Sequence, residues 1–140
     1  MSKLSHQLYR GKIIHIGKLF KSFDNEDLNN RFMCIINTDD KYMYLLPMSS
    51  FDGKEHKKNY LLEKEENFEY SKKHGNKKDG YIKCNQIYKL DFLYINNNDE
   101  EIKIIGYMNK GRFENLKIKV KILIINNIDI IKIKEMNFYG

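Results

Sequence analysis

Two adjacent hydroxyls, Ser49 and Ser50, close the stretch Tyr42 to Ser50, YMYLLPMSS, and cationic side chains follow at once: Lys54, His56, Lys57 and Lys58. Hydroxyls donate and accept hydrogen bonds, and ammonium groups balance negative charge. The combination suits an anion, with phosphate the obvious one. Arg31 joins the set if the apolar run that it opens, Arg31 to Ile36, pairs with the Tyr42 stretch as an antiparallel hairpin. The start of one strand then lies beside the end of the other. Arg31, Arg10 and Arg112 are the only arginines among many lysines, and a guanidinium gives planar, bidentate contacts that an ammonium does not. Against this stands a plainer reading. Serines before the turn signal Asp52-Gly53 are common turn formers, and a lysine-rich loop is usually solvated surface.

The elements that must position these groups can be read from the pattern. Tyr42 to Leu46 is aromatic or apolar throughout and reads as a strand buried on both faces. Pro47 cannot donate to a ladder, which puts that strand at an edge or ends it there. Tyr42 and Tyr44 are assigned to opposite faces and to the core. Gly11 to Ile16 is a first strand, with His15 as a structural residue. Gly17 to Asn30 is a loop with room for a short helix. Tyr60 to Leu62 could form a short strand, Ser71 to Asp79 an exposed hairpin tip, and Gly80 to Cys84 a further strand. Gln86 to Ile95 continues as strand or as a turn followed by strand, and Glu101 to Met108 could be another. Met1 to Arg10 is a loose start. The C-terminal part fits two templates. Lys117 to Ile122 alternates as in a hairpin turning at Asn126-Asn127, whereas Phe113, Leu116, Val120, Leu123, Ile124, Ile128, Ile131 and Met136 recur at helical spacing. Propensity alone favours the hairpin.

Composition bounds the class. The chain of 140 residues suits one domain, 1–140, with 41% hydrophobic and 13% aromatic residues, enough to fold around a core. Net charge is +6 and pI about 9.1, a weak pointer to nucleic acid or an acidic partner. Cys34 and Cys84 each sit in an apolar strand-like run and read as buried thiols. No Cys or His spacing suits a metal, so neither a metal nor another cofactor is expected. There is no apolar leader and no membrane-length apolar run, so a soluble cytoplasmic protein is expected, with no membrane partner.

Taken together, these segments resemble the PemK/MazF-like endoribonuclease toxins, nearest to the type III toxin–antitoxin and phage-abortive proteins of the ToxN/AbiQ kind. Arg31 to Ile36 resembles the family strand that opens with a basic or polar residue. Tyr42 to Ser50 is similar to the strand ending in Pro-Leu-Thr/Ser-Ser, and Lys54, His56 and Lys57 resemble its lysine-rich continuation. Gly80 to Ile87 looks like the strand that closes the barrel, and Phe113 to Tyr139 like the closing helices, which favours helix there. Ser49 stands where threonine is common, and Phe51-Asp52-Gly53 lengthens the gap before Lys54.

The resemblance implies an α+β fold, a compact antiparallel SH3-like β-barrel with peripheral and C-terminal helices. It implies a sequence-specific, metal-independent endoribonuclease toxin in which the ribose 2′-OH attacks phosphorus and leaves a 2′,3′-cyclic phosphate. Ser49 and Ser50 would bind the scissile phosphate, and Arg31 or Lys54 would balance its developing charge. His56 would carry a proton, since an imidazole titrates near neutrality. Lys57, Lys58 and Lys12 would bind RNA. The implied partners are the RNA substrate and a cognate antitoxin, a structured RNA being favoured over a protein, in a homo-oligomer or a toxin–RNA assembly. The alternative is a non-catalytic small basic barrel that binds nucleic acid or a protein partner.

Overall fold

The computed structural model describes residues 8–97, 99–126 and 131–138. The expected loose start lies largely outside them, as do Asn127 and Ile128 of the C-terminal readings. In chain order the elements are β1 (Lys12–Ile16), β2 (Phe20–Lys21), β3 (Asp27–Leu28), β4 (Arg31–Thr38), β5 (Tyr42–Ser50), α1 (Lys58–Glu63), β6 (Asn67–Tyr70), β7 (Gly80–Lys83), β8 (Gln86–Asp91), α2 (Phe92–Asn97), β9 (Ile102–Tyr107), α3 (Lys110–Asn126) and β10 (Lys132–Glu135). The class is α+β, with a mostly antiparallel sheet in the order β10-β8-β5-β4-β1-β9. β10 alone among the described pairings runs parallel to its neighbour, β8.

The expected hairpin forms. β4 and β5 pair antiparallel, with Phe32 opposite Met48 and Cys34 opposite Leu46. Its turn is built by Asp39, whose Oδ1 accepts the backbone N–H groups of Lys41 at 2.9 Å and Tyr42 at 2.7 Å. A short carboxylate side chain can bond its own backbone two or three residues on, which fixes such turns. β5 is longer than expected and runs through Pro47. Its far side is shared: β8 pairs with Tyr42 to Leu45 and β7 with Met48 to Ser50. Leu46 and Pro47 fall in the gap between these two partners. A missing N–H costs least where no ladder is formed, so the proline sits inside a central strand at its one interruption.

Alternation divides the core in two. Ile14, Ile16, Met33, Ile35, Met43 and Leu45 point to one face, where Phe20, Tyr88, Leu90, Ile95 and Met136 pack on them. Ile13, Cys34, Leu46, Met48 and Ile82 point to the other, under Phe113, Leu116, Val120 and Leu123 of α3. Each strand therefore splits its side chains between two buried layers, because successive residues face opposite ways. Both cysteines are free and fully buried, as expected. Burial raises the Cys34 thiol far above its ordinary range, and Cys84 to about 12.

Several expectations change. The hairpin suggested by Lys117 to Ile122 is a helix, α3, as the helical spacing and the resemblance favoured. Four inward side chains lie on one stripe, and fully burying each contributes roughly 1.5–3 kcal/mol, which outweighs the weak strand preference of isoleucine. Asn109 caps the helix, its Oδ1 accepting the Arg112 N–H at 3.2 Å. The run does not stay helical, however: Lys132–Glu135 is the strand β10. Tyr60 to Leu62 lies in helix α1 rather than a strand. Phe92 to Ile95 lies in α2 rather than extending β8. Gly17 to Asn30 holds no helix but the two-residue pair β2 and β3. Among the described residues, no helix is long and apolar enough to cross a membrane.

Candidate RNA-binding face

The Arg31 end of β4 and the Ser49 end of β5 do come together. Phe32 opposes Met48, so the next pair outward is Arg31 and Ser49. On its other side Ser49 pairs with Tyr81 of β7, which pairs with Glu69 of β6. Directly opposed residues in a sheet share a face. Arg31, Ser49, Tyr81 and Glu69 thus form one row across four strands.

The row continues into the turn after β5. Phe51 is buried, its ring 5.6 Å from that of Tyr81. The Lys54 N–H donates to the Phe51 carbonyl at 2.7 Å, closing a tight turn. Gly53 makes this turn with φ of 75°, a left-handed conformation that a Cβ disfavours. The turn absorbs the extra length before Lys54 and brings its Nζ to 5.9 Å from the Tyr81 ring centroid. Lys58 lies over Phe51 at 5.6 Å and pairs with Glu69 at 3.8 Å. Phe51 and Tyr81 are buried pegs here, and the cations stand on them.

Ser50 belongs elsewhere. It pairs with Gly80, which pairs with Tyr70, and this row faces the α3 side. Its Oγ accepts the Asp52 N–H at 3.3 Å and so helps to hold the turn. The two serines were expected to bind one phosphate together, yet consecutive strand residues face opposite ways. The same rule corrects the tyrosines: Tyr42 and Tyr44, two apart, share a face, their rings 6.4 Å from each other.

The other expected residues divide likewise. His56 and Lys57 lie on an exposed single turn of 3₁₀ helix, Glu55–Lys57, just after Lys54. Lys12 is remote. It opens β1 opposite Tyr107, at the far end of that strand from Ile16, which is the partner of Arg31. His15 packs its ring 5.1 Å from Phe32, in keeping with a structural role.

The charges of this face are largely uncompensated. Among the described residues, neither the Arg31 guanidinium nor the Ser49 hydroxyl has a hydrogen-bonding or ion-pair partner. Burial pushes the Tyr88 phenol up and the nearby Asp24 charge adds to it, while the Phe23 backbone and the nearby Arg31 charge act the other way. Asp52 is paired with Lys78 at 2.7 Å, which holds its carboxyl below the usual range. Among the described residues, no three His, Cys, Asp or Glu gather as a metal site would need.

Two contributors to this face were not singled out from the sequence, the aromatic pair under Lys54 and the loop beside it. Tyr81 and Phe51 support the cations, and only the β5–β7 pairing reveals it. The loop between β6 and β7, with Lys72, Lys73, Lys77 and Lys78, leans on the same turn: the Phe51 N–H donates to the Asp79 carbonyl at 3.0 Å. Arg112, from α3, lies on the opposite face: it stacks its guanidinium 4.4 Å from the ring centroid of Phe68, which shares a row with Ile82 and Met48, and donates to the Glu69 backbone carbonyl. Its Nε is buried without a partner. The scarcity of arginine was the signal for it. A search of protein-family models finds no match to this chain, and no curated protein matches it.

Proposed function

We propose that this chain is a metal-independent endoribonuclease of the toxin–antitoxin or phage-defence kind, built on an SH3-like barrel of the PemK/MazF and ToxN/AbiQ type. The observation that supports it best is the row Arg31, Ser49 and Tyr81 with Lys54 above. It sets a guanidinium, a hydroxyl and an ammonium on one face without a carboxylate between them. Such a set is suited to a phosphate whose charge grows as the ribose 2′-OH attacks. Arg31 stabilises that charge and does not deprotonate. Ser49 hydrogen-bonds a phosphate oxygen, and Lys54 binds a second oxygen. His56, on the next turn, is the proton carrier within reach of a mobile phosphate backbone. The lysines at 57, 58, 72, 73 and 77 extend the face along which RNA would lie. The cytoplasm would be the site of action, with a structured-RNA antitoxin favoured over a protein one.

The test is to incubate the purified chain with cellular RNA in the presence of a chelator and map new 5′-OH ends. Sequence-specific ends that vanish with Arg31→Ala and fall sharply with Ser49→Ala are expected. Intact RNA, together with salt-dependent binding of the same RNA, would replace this reading with the non-catalytic RNA-binding barrel.

A further inference from the structure

Lys12 lies far from the Ser49 row, but it is not isolated. Its Nζ sits 4.8 Å from the Tyr9 ring centroid and 5.8 Å from that of Tyr107. Tyr9 is 53% and Tyr107 74% exposed, so each ring keeps an open face. Around them is a recess of about 320 Å³ whose walls include Arg10, Lys110 and the edge of Phe113. Three cations and two exposed aromatic rings line it, and among the described residues none of the lining ones is acidic. Glu114, one turn along α3, pairs with Lys117 at 2.9 Å, and the nearby Lys110 and Arg10 charges also help to hold its carboxyl below the ordinary range, so these two cations are partly balanced. A phenol ring beside lysines and an arginine is a combination that binds a base and its phosphate in single-stranded nucleic acid.

We propose that the Tyr9–Lys12–Tyr107 recess holds one nucleotide of a single-stranded RNA, its base stacked on a tyrosine and its phosphate held by Lys12, Lys110 and Arg10. The α3 N-terminus adds nothing directly, because Asn109 already accepts the Arg112 N–H there. The side chains carry the binding. The recess is a second contact on the strand, separate from the cleavage face. The inference rests on the reading of the chain as an RNA-binding protein, and it makes no demand on cleavage.

Binding is measured with a short 2′-O-methyl oligouridylate, which cannot be cut by 2′-OH attack. Tyr107→Ala and Tyr9→Ala should each weaken it roughly tenfold, since a stacked base is worth on the order of 1–3 kcal/mol. Tyr107→Phe should keep most of the affinity, and Lys12→Gln should weaken binding and flatten its salt dependence. A 5-bromouridine in the same oligomer should photo-crosslink to Tyr9 or Tyr107. Circular dichroism confirms that the variants fold. Absence of binding by the parent chain, or unchanged affinity in both tyrosine variants, overturns the proposal. Cleavage by the parent chain, with normal binding by both tyrosine variants, sinks the recess and leaves the ribonuclease reading intact. Crosslinking at Tyr107 in a chain that cuts no RNA does the reverse.

Discussion

The two ends of β5 make opposite use of polar groups. At the Tyr42 end Asp39, Lys41 and Lys89 each have an internal answer. Asp39 accepts two backbone N–H groups and the Tyr44 hydroxyl, the last at 2.7 Å. Lys89 lies 4.2 Å and Lys41 5.2 Å from the Tyr42 ring centroid. At the Ser49 end, Arg31, Ser49 and Lys54 converge while no carboxylate binds them. A folded chain can satisfy its charges locally, so a cluster left unsatisfied on a rigid strand end points to a ligand. The first end is a device for holding a hairpin in register; the second, in the function proposed above, is a surface for an anion.

The sharpest way to break that contrast is at Arg31. Arg31→Ala should lower RNA cleavage by roughly 10²–10³-fold, the usual loss when one preorganised charge-stabilising donor is removed. Arg31→Lys should recover only part of it, because a point charge replaces a planar fork. Thermal unfolding of both should stay close to the parent, since Arg31 is exposed and holds no internal partner. If Arg31→Ala cuts RNA at the parental rate, the two ends of β5 are functionally alike.

Next comes the scaffold under the Ser49 end. A Cβ at position 80 would overlap the Ser49 carbonyl oxygen and the Tyr70 ring. Gly80→Ala should therefore destabilise the fold by about 3 kcal/mol through overpacking, read as a lower urea midpoint. The Tyr42 end has no such close approach to glycine among the described residues.

A smaller effect separates the two serines. Ser49→Ala should slow cleavage roughly ten- to a hundredfold, in line with the loss of a hydrogen bond to a charged group. Ser50→Ala should stay near the parent, because its hydroxyl serves the Asp52 turn on the other side of the sheet. Equal losses in the two variants would mean that the alternation argued above does not govern the site.

The smallest effect tests the Tyr42 end by pH. Hydrogen bonds from Tyr42, Tyr44 and Lys41 hold the Asp39 carboxyl below its ordinary range. A carboxylate with a lowered folded pKa contributes stability that is complete above its unfolded value, about 3.9, and is lost as pH falls through the folded value. The stability gap between the parent and Asp39→Ala should hold above about pH 4 and narrow in more acid solution. RNA affinity measured near neutral pH should not change in this variant, which ties the Tyr42 end to the fold alone.

Much of this architecture is legible in the sequence. The strands at Gly11 to Ile16, Arg31 to Ile36 and Gly80 to Cys84 are short apolar runs with turn residues at their ends, and local pattern suffices for them. The antiparallel hairpin follows from the few residues between Ile36 and Tyr42. Its register then sets Arg31 beside Ser49 by geometry alone. The buried thiols follow from their apolar neighbours. Less legible were Tyr60 to Leu62, where a helical turn follows the 3₁₀ turn at Glu55–Lys57, and Phe92 to Ile95, which leaves the sheet. Neither segment is long enough to show a period.

The amino-acid sequence by itself determined which groups could meet at one strand end: Arg31 and Ser49 by hairpin register, and Lys54 by its nearness along the chain. It also dictated that Ser49 and Ser50 part company, since the strand period is two. Tertiary structure alone decided the rest. Tyr81 and Phe51 became the floor under Lys54 because β7 pairs with the last residues of β5, a contact between segments some thirty residues apart. Lys12 left the cluster because β1 pairs with the other edge of β4 and reaches Arg31 only at its last residue, Ile16, with Lys12 at its start. Residues 110–126 became a helix because the sheet face above Cys34, Leu46 and Ile82 had to be covered, and only a 3.6-residue period puts Phe113, Leu116, Val120 and Leu123 on it together. Pairings and layers of this kind are set by which apolar faces are left to bury, a property of the assembled sheet that no single stretch of sequence contains.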